Sequence, residues 1–66
     1  MDKKFKIGDT VVLKSGSPEM TISKEIKDKI DVYTPNTFMG NFEAKWFDGT
    51  KVYSDIFHQD SLDFSR

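Results

Sequence analysis

The sequence predicts an all-β fold, a small SH3-like antiparallel barrel of about five strands. Apolar and polar residues alternate in several short runs, which is the period of a half-buried strand. Turn-forming residues separate these runs, and the aromatic residues that favour strands are abundant, with six Phe, two Tyr and one Trp among 66 residues. Closing such a sheet into a barrel hides edges that would otherwise aggregate. An OB-like barrel is the alternative, but it usually needs a longer chain.

The first strand is predicted at residues 10–14. Val11 and Leu13 share one parity, opposite to that of the polar residues at both ends of the run, so one side of the strand is expected to face the core. Residues 8–9, Gly-Asp, predict a tight entry turn, because Gly accepts positive φ and Asp bonds nearby backbone N–H groups. Residues 15–18, four turn formers in a row, end the strand.

A second strand is predicted at residues 19–24, and the pattern then weakens over residues 25–41. Ile26 and Ile30 fit either one helical turn, at i and i+4, or an extended hairpin arm, and the two periods cannot be separated over so short a run. We favour the extended arm and expect residues 25–41 to be mobile. Turns are expected within the arm at residues 35–36 and 40–41.

The clearest hairpin comes last, where residues 42–47 and 50–57 flank the turn dipeptide Asp48-Gly49. A two-residue loop is expected to mix polar and apolar residues on both faces, whereas a three-residue loop gives a cleaner register. The chosen register pairs Trp46 with Val52, Ala44 with Ser54 and Phe42 with Ile56. A short polar turn and a last strand near residues 63–64 follow.

Length and composition set the limits of the domain. A chain of 66 residues allows one domain, residues 1–66. It contains no cysteine, which excludes disulfides and Cys-based zinc sites and makes the reducing cytoplasm the expected compartment. The longest apolar run has three residues, Val11 to Leu13, far fewer than the ~20 that span a bilayer. We therefore expect no membrane association and no export signal.

Two separate motifs occur in a characteristic order along the chain. The first reads Gly8-Asp9-x-Val11-x-Leu13-Lys14-Ser15-Gly16-x-Pro18-x-Met20-Thr21, and the second reads Trp46-Phe47-Asp48-Gly49-x-Lys51, followed by Phe57-x-x-x-Ser61-Leu62. Together they resemble the YodC-like family of small uncharacterised bacterial proteins over roughly residues 5–23 and 44–62. The resemblance implies a compact β-barrel domain that makes up whole proteins. It implies no activity, substrate or cofactor.

One departure from that family lies in the turn after the first strand. The family commonly has Ser-Gly-Gly-Pro there, and in this chain Ser17 replaces the second Gly. If the position requires positive φ, a non-glycine residue costs on the order of 1 kcal/mol. On that basis Ser17→Gly is expected to stabilise the protein.

Residues that could carry chemistry are few. His58 is the only histidine, and with Asp55 and Asp60 it makes the one cluster that resembles a metal site in the sequence. A solvated turn in which Asp60 caps backbone N–H groups is the preferred interpretation. Ser61 or Ser54 beside His58 are the only candidate nucleophiles, and Ser61 in a turn is better suited to capping. We expect no catalytic, cofactor-binding or metal-binding residues, no small-molecule substrate and no enzyme activity.

Aromatic residues beside lysines are the remaining functional signal. In the chosen register Phe47 pairs with Lys51 and Lys45 with Tyr53 on the outward face, while Trp46 faces the core. Exposed aromatics are enriched at interface hot spots. The sequence therefore predicts a non-enzymatic binding or adaptor module that recognises a protein partner or itself through these four residues. The alternative is a nucleic-acid-binding small β-barrel, which the net charge of −1 with interleaved signs disfavours.

Overall fold

The computed structural model describes residues 2–28, 32–33 and 35–65, which form one open antiparallel sheet of five strands in the order β4-β3-β2-β1-β5. The strands are β1 Thr10–Leu13, β2 Met20–Asp28, β3 Thr37–Asp48, β4 Lys51–His58 and β5 Leu62–Phe64, and a 3₁₀ turn at Gln59–Ser61 joins β4 to β5. The all-β prediction with five strands is confirmed. The predicted barrel closure is not observed, because β4 and β5 lie at opposite edges of the described sheet.

Hydrogen bonds in the flanking turns fix the position of β1. The N–H of Asp9 donates to the Lys6 carbonyl at 3.0 Å, and the N–H of Lys6 donates to Asp9 Oδ2 at 2.9 Å. The entry turn predicted at residues 8–9 is therefore confirmed. At the other end of β1, Gly16 adopts a φ of 103° and its N–H donates to the Leu13 carbonyl at 2.9 Å.

Ser17 does not have the positive φ that the family comparison suggested. Positive φ falls on Gly16, and no described non-glycine residue has one. Ser17 Oγ instead accepts from the N–H of Leu13 and donates to the Pro18 carbonyl, both at 2.9 Å. We therefore expect Ser17→Gly to lower the free energy of unfolding by about 1 kcal/mol, since it removes these bonds. Chemical denaturation beside the wild type checks this, and a more stable variant would contradict it.

The arm is extended where the structure describes it. β2 continues to Asp28 and β3 begins at Thr37, with Lys27 opposite Phe38. The strand alternative is confirmed over residues 25–28, and the helical one is wrong there. Ile30 lies outside the described residues, and mobility of the arm stays a prediction.

The turn predicted at residues 40–41 is wrong, because β3 runs through both positions. Glu25 pairs with Phe42, and Lys27 pairs with Phe38. Between these two pairs β3 has two more residues than β2. Gly40 adopts a φ of 99° within this irregularity, a conformation that glycine accepts without steric cost. The glycine signal was correct, but it marks a bulge in a long strand and not the end of one.

The loop between β3 and β4 has two residues, Gly49-Thr50, so the predicted three-residue loop is wrong. Asp48 pairs with Lys51 across it. Gly49 has a φ of 65°, while Thr50 is not among the positive-φ residues. This is the pattern of a type II′ turn, whose first central residue is Gly and whose twist matches that of the strands.

This loop shifts the register of β4 by one residue from the predicted one. The predicted partners Val52, Ser54 and Ile56 are replaced by Tyr53 opposite Trp46, Asp55 opposite Ala44 and Phe57 opposite Phe42. Because side chains alternate with a period of two, the shift exchanges the faces of β4. Val52 and Ile56 point away from the core, whereas Tyr53 and Phe57 lie on the core face.

The hydrophobic core occupies one face of the sheet. Trp46, predicted to lie in the core, is half-buried and packs against it, as Phe57 and Leu13 do. The buried apolar residues in the described part of the chain are Phe5, Val11, Met20, Ile22, Phe38, Phe42, Ala44 and Leu62.

The N-terminal segment, residues 2–5, is tied to the 3₁₀ turn by a buried glutamine. Gln59 Oε1 accepts from the N–H of Lys4 at 3.0 Å, and Gln59 Nε2 donates to the Asp2 carbonyl at 2.9 Å. The Phe5 ring follows into the core, where it meets Phe42 edge-on at a centroid distance of 6.0 Å. Residues outside the strands thus contribute to the core.

Candidate partner-binding surface

An apolar patch lies on the outer face of the β3–β4 hairpin, away from the core. It consists of Phe47, Val52 and Ile56, which are 72%, 56% and 52% exposed. Phe47 and Val52 are directly opposed across the two strands, where side chains are close enough to contact. We call these three residues the hairpin patch.

The four residues predicted to bind a partner are divided between the two faces of the hairpin. Lys45 and Phe47 lie on the outer face, where Lys45 is opposite Ser54. Tyr53 lies on the core face and stacks on Trp46 at a centroid distance of 5.9 Å and an interplanar angle of 21°. Lys51 is on that same face, opposite Asp48. The structure therefore does not bring the four together, and the predicted pairs Phe47–Lys51 and Lys45–Tyr53 are wrong.

Sequence reasoning missed Val52 and Ile56 as surface residues. Both are β-branched, and the predicted register places them in the core, opposite Trp46 and Phe42. The signal that could have found them is the Gly-Thr order at residues 49–50, since Gly at the first position of a two-residue loop specifies a type II′ turn.

Charges around the hairpin patch are mixed in sign. Glu43 is opposite Ile56 on the outer face, where it forms an ion pair with Lys24 Nζ at 3.5 Å and accepts a hydrogen bond from Ser23 Oγ at 3.1 Å. Lys45 lies in the next row, between Thr21 and Ser54. Acidic and basic side chains therefore interleave here, and they do not form a lysine stripe.

The polar cluster near His58 is a hydrogen-bonded turn. Lys4 Nζ donates to Asp60 Oδ1 at 2.9 Å, and this contact lowers the pKa of the Asp60 carboxyl below its ordinary value. His58 Nδ1 accepts from the N–H of Asp60 at 3.1 Å, and Ser61 Oγ donates to the His58 carbonyl at 2.7 Å. The part of the chain that the structure describes contains no group of three or more residues arranged to hold a metal, and no pocket.

Both edge strands of the sheet carry an aspartate that bonds the next backbone N–H. Asp55 Oδ1 accepts from the N–H of Ile56 at 2.8 Å in β4, and Asp63 Oδ1 accepts from the N–H of Phe64 at 3.0 Å in β5. Edge strands offer unpaired N–H groups to other strands. These two carboxylates shield one such group at each edge.

Comparisons with known proteins bear on the family alone. Over residues 2–28, 32–33 and 35–65 the structure contains no helix of the length and apolar character that a membrane crossing requires. No curated protein and no solved structure matches the chain. A family model described as an uncharacterized small protein (DUF2158) matches residues 6–62, which include both sequence motifs and four of the strands in full. The chain belongs to this family of small proteins.

Proposed function

We propose that this protein is a non-enzymatic binding or adaptor module that recognises a protein partner, or a second copy of itself, through the outer face of the β3–β4 hairpin. The observation that carries the proposal is the exposed cross-strand pair of Phe47 and Val52, with Ile56 farther along the same face. Large exposed apolar groups gathered on one face are typical of interaction sites. Single exposed apolar residues scattered over a surface are not typical of such sites.

The patch has the anatomy of a small interface. An aromatic ring and two β-branched side chains form its apolar part, while Lys45, Ser54 and Glu43 provide polar groups beside it. Aromatic anchors contribute most of the affinity at such sites, and polar neighbours contribute mainly specificity. Phe47, the most exposed of the three, is therefore the expected anchor.

The mixed charge of the same face supports a protein partner over a nucleic acid. Nucleic-acid affinity comes mainly from several cationic side chains on phosphates, and here Lys45 is bordered by uncharged Thr21 and Ser54. We further propose that the module is an SH3-like, cytoplasmic bacterial domain of the YodC-like type with no small-molecule substrate. The five-strand antiparallel sheet, in which β5 lies beside β1, supports the SH3-like part of this proposal.

The proposal is tested by capture from a bacterial cytoplasm with and without nuclease. We expect the wild-type protein to retain a protein partner that nuclease does not remove, and Phe47→Ser to lose it. Ile7→Ser is the matched control, because Ile7 is also apolar and 63% exposed but lies outside the hairpin. Capture that disappears with nuclease would favour a nucleic acid, and equal capture by Phe47→Ser would place the site elsewhere.

A further inference from the structure

We propose that the open edge of β4 pairs antiparallel with the β4 edge of a second copy of this chain, with Ser54 on the two-fold axis. This inference rests on the proposed function, of which it names the partner. β4 is eight residues long and lies at the edge of the sheet. The other edge strand, β5, has only three residues, which gives a much shorter seam.

The hydrogen-bonding direction of β4 determines which residues can face a second strand. In an antiparallel ladder, residues alternate between those bonded to the neighbour and those directed away from it. Lys51 closes the two-residue loop opposite Asp48 and bonds to β3, so Val52, Ser54 and Ile56 direct their N–H and C=O groups to the open side. The N–H of Ile56 agrees with this, since it donates to the Asp55 side chain at 2.8 Å.

Pairing of two such edges joins outer face to outer face. Residues directed to the open side can bond only to residues directed the same way on the other copy. With Ser54 opposite itself, Val52 of each copy lies opposite Ile56 of the other. These two side chains are 56% and 52% exposed in one copy, and each pair buries them against each other. The hairpin patches of both copies then form two apolar rows across the seam, one on each side of the row that contains Ser54, and each row combines Phe47 and Val52 of one copy with Ile56 of the other.

The core face of the same register is complementary in hydrogen bonding and charge. Tyr53 lies opposite Asp55 of the second copy, and Lys51 is diagonal to it, which is within reach of a long side chain. In the pair, the N–H of Ile56 bonds the Val52 carbonyl of the second copy, so Asp55 Oδ1 becomes free to accept from that tyrosine and lysine. A strand of a different protein that lacks these donors would still break the hydrogen bond between Asp55 and the Ile56 N–H, and it would give the carboxylate no new partner. The aspartate thus shields the edge and selects a second copy.

A register with Tyr53 on the axis is the main competitor. It places Lys51 directly opposite Asp55 of the second copy, where the chosen register places it diagonally, and the difference between two such exposed ion pairs is small. It also leaves Val52 opposite Ser54 and Ile56 opposite Thr50, so neither exposed apolar residue gains an apolar partner. Burial of Val52 against Ile56 favours the axis at Ser54.

Sedimentation equilibrium of the full chain, from ~10 μM to ~1 mM, tests the pairing. We expect a monomer–dimer equilibrium, weak because a single strand seam is at the small end of interface sizes. Ser54→Pro is expected to weaken it at least tenfold, because proline removes an N–H from the open side and none from the ladder with β3. Ser54→Lys, which brings two cations together on the axis, serves if the proline variant does not fold. Thr21→Lys is the matched control, since Thr21 is exposed on the same outer face but two strands away.

Isotope-filtered NMR of a mixed labelled and unlabelled sample identifies the register. Val52 and Ile56 are four residues apart, about 13 Å along one strand, so a methyl contact between them must join two copies. A monomer at every concentration, a dimer that survives both Ser54 variants, or contacts centred on Tyr53 would overturn this pairing. If the protein is a monomer but still captures a partner that Phe47→Ser loses, the pairing is wrong and the proposed function stands. If the protein is a monomer and no Phe47-dependent capture is seen either, the proposed function is also wrong.

Discussion

Replacing Phe42 by alanine is expected to unfold the protein. Phe42 is fully buried and packs against Phe38 and Phe5, at centroid distances of 4.9 and 6.0 Å. Phe→Ala at such a site costs ~3–5 kcal/mol through lost transfer energy and the cavity left behind. At ~0.05–0.15 kcal/mol per residue, a domain of this size has about 3–10 kcal/mol in total. The variant is therefore expected to lose most or all of its stability.

Urea denaturation followed by circular dichroism measures this loss. Phe47→Ala is the matched control, because it makes the same chemical change on the same strand at a side chain that is 72% exposed. We expect the control to unfold near the wild-type midpoint. A Phe42→Ala variant with a midpoint close to that of the control would contradict the assignment of Phe42 to the centre of the core.

Replacing Phe5 by alanine is expected to have the second largest effect, although Phe5 lies outside every strand. Its ring is 5% exposed and contacts Phe64 edge-on at 4.9 Å as well as Phe42. We expect a loss of ~3 kcal/mol or more. The N-terminal segment should also detach, because the two bonds from Gln59 then have no buried ring beside them to hold residues 2–4 in place.

Limited trypsin digestion beside denaturation separates detachment from global unfolding. Cleavage after Lys3 and Lys4 is expected to be faster in Phe5→Ala than in the wild type at temperatures where both remain folded. Ile7→Ala, two residues farther along and 63% exposed, should match the wild type in both measurements. Unchanged cleavage and stability in Phe5→Ala would show that the segment is not part of the core.

Local patterns predicted the individual strands well. Alternation around Val11 located β1, and turn residues at 8–9 located its entry turn, because both signals depend on near neighbours in sequence. The N-terminal contribution of Phe5 and Gln59 was not predictable in this way. Gln59 bonds residues 55 and 57 positions away, and no local period reports such contacts.

The wrong register predicted for the last hairpin had the largest consequence, because it also misplaced residues of the candidate site. The prediction maximised apolar pairing across the strands and placed Val52 and Ile56 inside. The structure instead follows the turn, with positive φ at Gly49 and two loop residues. A one-residue slip exchanges faces, so Lys45 and Phe47 were placed on the correct face and Lys51 and Tyr53 on the wrong one. The sequence alone predicted the hairpin and the β3 side of its outer surface, but not Val52 and Ile56 on β4.

Binding through the hairpin patch is the central claim, and titration of the partner recovered by capture tests it most directly. Phe47→Ser is expected to weaken binding at least tenfold, about 1.4 kcal/mol, while the free energy of unfolding stays near that of the wild type. Ile7→Ser, which also removes an exposed apolar side chain but lies outside the hairpin, is expected to leave the affinity within about twofold, since side chains remote from the site contribute little. Unchanged affinity for Phe47→Ser, or an equal loss for Ile7→Ser, would contradict the account.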